Sequence, residues 1–401
     1  WADAALPISI QGTNGNWSLK LSKPHTYGIG KTPHFFVFNL LEELDEPDEW
    51  FFDSATSRLY LIPPEGTPPD FVTLTALAEP FINISGANNV EFRGLSFRNA
   101  RGDAVRVRQS QNAVFSGCDF RCIGGTALDA TGCPGLIVRD SSFRNLGHGG
   151  IIADAGNRRT LESGNVQIHN NKFSKVGQSA RTYTPGVLLQ GVGGIICHNE
   201  FFDMPSSAMR IEGNDHIIEL NDIHEAVLES DDQGAVDMWG DPSYRRCIFR
   251  YNTFRNIGNP AGAPCGQGAI RFDDMISGMV VHDNTFINAS RPNFGAVQIH
   301  GGSQNMICSN TIRDCDIGIS FSPWGADRWN LQLTNNQEVI RKITTDVDIQ
   351  TPPYTTRYPE IKDIRQDVDR NFIWDNTMIK CGKPYHNLPK QTQTIWNTLE
   401  K

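Results

Sequence analysis

Apolar and polar positions along the chain fall into a repeating unit. Two or three apolar residues precede a short polar gap, often holding Asn, and one further apolar residue closes the unit. The unit runs as VEFRGLSF closing at Phe97, AVFSGCDF at Phe120, LIVRDSSF at Phe143 and VQIHNNKF at Phe173. It continues through Phe201, Ile223, Phe254 and Phe286 to Ile312, with closing residues 22 to 32 positions apart. A variable period of this size marks a solenoid. From the fourth unit on, the residue two before the closing one is always Asn: Asn171, Asn199, Asn221, Asn252, Asn284 and Asn310. Asn at a fixed turn position can stack from coil to coil, each amide satisfying the next.

A second, mostly alternating segment follows each unit, among them AVRVRQ (104–109), IIADAG (151–156), VLLQG (187–191), MRIEG (209–213), VDMWG (236–240), IRFDD (270–274), VQIHG (297–301) and ISFSP (319–323). Alternation of this kind predicts a strand with one buried face. Helical periodicity is almost absent before residue 325. The fold class expected is all-β, a right-handed parallel β-helix whose strands stack about 4.8 Å apart. Residues 49–66 read as a hairpin ending in Pro–Pro. NNQEVIRKI reads as helical and TPPYTTRYPEI as extended, before NFIWDNTM (371–378) resumes the coil with Asn376 in the Asn slot. The expected organisation is an N-terminal hairpin module over 1–80, a catalytic β-helix over 81–325, and a C-terminal excursion, final coil and cap over 326–401.

Laid in register, the second segments give an inward column Val105, Ile151, Val187, Met209, Val236, Ile270, Val297 and Ile319. Alternation places two columns on the outer face. One contains Arg210, Asp237 and Arg271; the other contains Glu212, Trp239, Asp273 and His300. Tyr183 and the acidic run ESDDQG (229–234) lie in loops on one rim of this face. A groove across a stack suits a polysaccharide or oligosaccharide. Glycoside cleavage needs two carboxyl groups. Asp232 and Asp273 can face each other across such a groove, with Asp237 and Glu212 as rivals for the pair and Asp274 as a further candidate. Trp239 offers a stacking face, while Arg210, Arg271, His300 and Tyr183 offer polar contacts. Arg271 beside Asp273 favours its ionised form, and Asp231 and Glu229 beside Asp232 disfavour ionisation there. Asp273 is thus expected as base or nucleophile and Asp232 as general acid.

Composition narrows the partners. The formal net charge of −9 argues against nucleic acid. No apolar run is long enough to span a membrane. Nine cysteines at irregular spacings contain no CxxC pair, and Cys118, Cys197 and Cys308 read as small buried hydrophobes. No metal site is demanded, although the paired Asp231–Asp232 also suits Ca²⁺. A secreted or periplasmic location is expected, with no leader visible in the chain. The sequence sets no oligomeric state.

Longer stretches resemble a known family. FFVFNLLEELDEPDEWFFDSATSRLYLIPPEG (35–66) is similar to the module preceding many bacterial carbohydrate-active β-helices. YTPGVLLQGVGG, EGNDHIIELNDIHEAVLESDDQGAVDMWGDPSYR, IRFDDMISG and PPYTTRYPEI extend the likeness over nearly the whole chain. The nearest named group is glycoside hydrolase family 141, with α-L-fucosidase and xylanase members. The resemblance implies a glycosidase whose carboxylate pair is Asp232, in DDxGA, and Asp273, in the DD before SG. A lyase acting on a uronate-containing glycan, and a glycan-binding solenoid without catalysis, are the alternatives.

Overall fold

The computed structural model describes residues 3–13, 16–29, 35–64, 70 and 72–400. The chain divides into two units, Ala4–Thr75 and a larger one made of Trp1–Asp3 with Ala76–Lys401. The smaller unit holds two antiparallel hairpins, Ile8–Thr13 with Asn16–Leu21 and Trp50–Asp53 with Arg58–Leu61. In the second hairpin the Asp53 carboxylate accepts from the Ala55 N–H and the Thr56 hydroxyl, closing the polar turn. The Glu65–Gly66 end of the expected hairpin lies outside the described residues.

The larger unit is a right-handed parallel β-helix with three sheets. The repeat read as one apolar run plus a closing residue is two strands, not one. In the coil of Asn199, for example, Ile195–Cys197 belongs to one sheet and Glu200–Phe202 to the next. Asn199 forms the corner between them. The alternating segments form the third sheet, in which every residue of the expected inward column is fully buried. Phe97, Phe120, Phe143, Phe173 and Phe201 stack ring on ring, neighbours 4.6–4.8 Å apart at their centroids.

The Asn corner is a continuous ladder. Asn199 Oδ1 accepts the backbone N–H and the amide of Asn171, and Asn199 in turn donates to Asn221 Oδ1. The same pattern passes through Asn252, Asn284, Asn310 and Asn376 to Asn397. Before Asn171 the role is taken by Ser141, whose hydroxyl accepts the Cys118 N–H. The residue ahead of each Asn is left-handed, including Leu220, Tyr251 and Trp396 with φ of 55°, 56° and 52°. Such a bend is unfavourable for a bulky side chain, and the amide bonds of the ladder hold it.

Two expectations change. Cys197 and Cys308 are only half-buried, because the middle residue of those strands, Ile196 or Ile307, points inward and its neighbours do not. All nine cysteines are free thiols. The stretch TPPYTTRYPEI is helical over Tyr354–Arg357 and Pro359–Asp363 rather than extended. Tyr354 in the first helix and Tyr358 at the junction of the two are both fully buried, and that burial outweighs the β-branched Thr355 and Thr356. A helix over Gly325–Asn335 buries Trp329 and Leu333, four apart on one face. With Val339, Ile343 and Met275 they form a second apolar core beside the solenoid. No helix among the described residues is long and apolar enough to cross a membrane.

Replacing Asn252 by Ala removes the acceptor of the Asn221 amide and the donor to the Ile218 carbonyl. The expected cost is about 1–3 kcal/mol, and the same for Asn199→Ala. Urea midpoints unchanged in both variants would show that the ladder carries no stability.

Candidate active site

The alternating sheet places its outward residues in columns fixed by strand register. Leu188, Arg210, Asp237, Arg271, Gln298 and Ser320 follow one another from coil to coil. Beside them run Asp154, Gln190 and Glu212, and then Trp239 and Asp273. The first column was expected to be open to solvent in the middle coils. It is buried instead: Asp237 and Arg271 are 2% and 4% exposed. Rim loops cover them, and Phe294 of one such loop lies 5.5 Å from the Arg271 guanidinium.

Arg271 is the hub. Its Nη2 lies 2.7 Å from Asp232 Oδ1 and 2.9 Å from Asp273 Oδ2, and its Nη1 lies 3.7 Å from Asp237 Oδ1. Three carboxylates thus surround one guanidinium. Asp273 is held a second time, by His300 Nδ1 at 2.7 Å, which also stands 3.2 Å from Asp274 Oδ1. The Trp239 indole N–H donates to Asp274 at 3.1 Å, and Trp239 stays 41% exposed. Arg210 donates to Glu212 at 2.6 Å and stands 5.8 Å from the Trp239 ring.

The ten expected residues therefore share one patch, but their pairing differs from expectation. Arg210 and Arg271 both pair with protein carboxylates, and Arg271 is buried while Arg210 is only half-buried. Arg271 reaches both aspartates, not Asp273 alone. Glu229 pairs with Arg181, and the Asp231 carboxylate accepts the N–H groups of Asp232, Cys265 and Gly266. Asp231 and Asp232 are thus turned to different partners, which does not fit a joint Ca²⁺ cage. Asp273, Asp274 and His300 bring ligand atoms within 4.8 Å of one another, as do Glu200, Asp222 and His224 on another sheet. Two carboxylates with an imidazole suit a transition metal better than Ca²⁺. In the second group Lys172 already pairs with Glu200 and Arg255 with Asp222.

Burial pushes the Asp237 carboxyl up to about 7, against the pull of Arg271 and with the help of the Asp273 charge. Burial, then the Asp273 charge, also raises Asp274. Tyr183 is raised above its ordinary range, mainly by burial. Arg271 opposes that shift, and Asp237, Asp232 and Asp273 add to it, which places the phenol in the same cluster.

The C-terminal excursion supplies parts that the repeat did not announce. Lys342 Nζ donates to the Gly240 carbonyl and lies 5.1 Å from the Trp239 ring. Trp324 packs edge-on against His300 at 5.4 Å and carries Arg328 on its face at 3.9 Å. These residues lie outside any repeat unit, so no periodicity points to them. Gln190 did stand in the column, and its amide donates to Glu212 at 2.7 Å.

A family model described as a right-handed β-helix region matches residues 80–183 and 185–339. A solved structure described as a glycoside hydrolase is similar at 18% identity and TM-score 0.58, over 79% of this chain and 65% of that one. The chain thus spans less than two thirds of that protein's length. PfbA, a surface adhesin of Streptococcus pneumoniae, is similar at 15% identity and TM-score 0.34, over 60% of this chain and 57% of that one. No curated protein matches the chain. At these identities the likeness to solved structures is one of fold.

The Asp237 shift has a defined sign. Between 3.8, its ordinary value, and about 7 the folded chain keeps a proton that the unfolded chain has released. Its contribution to stability is therefore complete at low pH and is lost as pH rises through that window. Asp237→Asn keeps the neutral shape at every pH. Its melting midpoint should match wild type near pH 4 and exceed it near pH 8; a constant difference would refute the assignment.

Proposed function

The chain belongs to the right-handed β-helix family, and from that premise we propose that it is a glycoside hydrolase, cleaving a glycosidic bond in a polysaccharide or oligosaccharide with Asp232 and Asp273. One observation carries this reading. Two carboxylates from different coils meet on a single nitrogen of Arg271, beside the exposed Trp239 ring. One carboxyl can protonate the glycosidic oxygen while the other acts at the anomeric carbon, and the indole offers an apolar face to a sugar ring.

Geometry supports a division of roles. Asp273 is nearly buried at a strand end and is held by His300 and Arg271, as an attacking oxygen must be. Asp232 sits on a loop with a more exposed side chain, where it can reach a leaving-group oxygen. Their nearest oxygens are separated by no more than the sum of two contacts to one nitrogen, under about 6 Å. Both carboxyls can therefore reach one glycosidic bond.

Charge favours a neutral glycan over a uronate. Arg210 pairs with Glu212, Arg271 with the aspartates and Lys342 with Glu338. Arg210, Arg271 and Lys342 thus each already have a carboxylate partner. A lyase would need such a cation for its uronate. Action on a glycan polymer implies a secreted or periplasmic location.

A panel of neutral and uronate glycans read by mass spectrometry tests the reading. Addition of one water per cut is expected, and an unsaturated uronide would show a lyase instead. Asp273→Asn and Asp232→Asn should each lose about 10²–10⁴-fold in turnover. On an activated aryl glycoside Asp232→Asn should recover much of its rate and Asp273→Asn should not. Equal losses on both substrates would overturn the roles. Proton NMR of the first product reads whether the anomeric configuration is kept or inverted.

A further inference from the structure

A second concavity lies on the same face, well away from Arg271. It encloses about 290 Å³ and is lined by Gly132, Pro134, Asp154, Asn157, Glu162 and Ser163 among others. Its wall is the short antiparallel pair formed by Gly156–Asn157 and Glu162–Ser163, an insertion that the neighbouring coils lack in this sheet. Asp154 belongs to the outward column that continues through Gln190 to Glu212. Gln190 donates to Glu212, and Glu212 holds Arg210 beside Trp239, so polar side chains connect the concavity to the carboxylate cluster. Four coil steps separate the Asp154 strand from the Asp273 strand, roughly 19 Å along the stack at the usual strand spacing.

We propose that the concavity is a distal sugar-binding subsite of one long groove, so that the protein takes an oligosaccharide or polymer chain running along the solenoid axis. This rests on the glycosidase reading. Carboxylate and amide groups are partners that sugar hydroxyls use, and the carboxylates of Asp154 and Glu162 and the amide NH2 of Asn157 line this recess, while the Ser163 hydroxyl bonds Asn165. Two carboxylates disfavour an anionic unit, so the sugar bound is neutral. Burial and the charge of Glu212 raise the Asp154 carboxyl, in keeping with a group set back in a recess.

Calorimetric titration with xylo-, manno-, galacto- and arabino-oligosaccharides, each as disaccharide and hexasaccharide, tests the proposal on the full chain. One hexasaccharide should bind wild type and bind the Asp154→Ala/Glu162→Ala variant about tenfold more weakly, with its disaccharide unaffected. Asp154→Asn, which keeps the size and most hydrogen bonds, should restore much of the affinity to a Glu162-intact chain. An unchanged melting midpoint shows that the variants fold. Equal hexasaccharide affinity in wild type and double variant, or no binding of any series, overturns the subsite. Distal loss of binding without cleavage of any bound glycan leaves the subsite standing and overturns the hydrolase reading.

Discussion

Coil-to-coil register is the constraint on which the rest of this molecule depends. Each corner between two of the sheets bends the backbone into the left-handed region, and the side chains there are often as large as Leu220 or Tyr251. The bend leaves buried backbone groups that cannot pair within the strands. The Asn ladder pairs them, each amide bonding its own coil, the coil before and the coil after. A shift of one residue in any coil would break the ladder on both sides and turn an inward Phe to solvent. The ladder therefore aligns the coils, and alignment puts Arg210, Asp237 and Arg271 in one column.

Charge in that column is unbalanced in a way that matters for chemistry. One guanidinium faces Asp232, Asp237 and Asp273, and it cannot neutralise all three. Burial of Asp237, the most buried of them, and then the Asp273 charge keep its proton on toward neutral pH against the pull of Arg271. This leaves Arg271 to the two less buried carboxylates. His300 adds a second hold on Asp273, and through Asp274 the same imidazole is tied to the Trp239 indole. The group proposed to attack and the ring proposed to seat the sugar are thus positioned by one network.

The excursion between the last regular coils has its own apolar core and does more than interrupt the repeat. Its contacts reach back to Asp215 and Gly240, just past strands of the alternating sheet, and to Arg246 in the loop that leads to the next sheet. It places Trp324 and Lys342 against one edge of the patch, while the Tyr183 and Asp232 loops stand at the other. The floor of the site is rigid sheet, and its walls are long insertions, the usual division between scaffold and function.

The solenoid, the ladder from Asn171 to Asn376, the inward column and the gathering of all ten candidate residues on one face were legible in the sequence. Each follows from a short period repeated in register, and periodicity is a local property of the chain. Asn397, the replacement of the amide by Ser141, and the split of each repeat into two strands were not read, because a polar gap of two residues does not by itself mark a corner between sheets. The helical form of Tyr354–Arg357 was missed because burial against a distant surface outweighed local propensity. Only the tertiary structure decided which charge meets which. Arg271 could have served a substrate anion or a protein carboxylate, and loop 229–234 folding over the sheet decided for Asp232. Such pairings join residues dozens of positions apart through irregular segments, and no repeat carries that information.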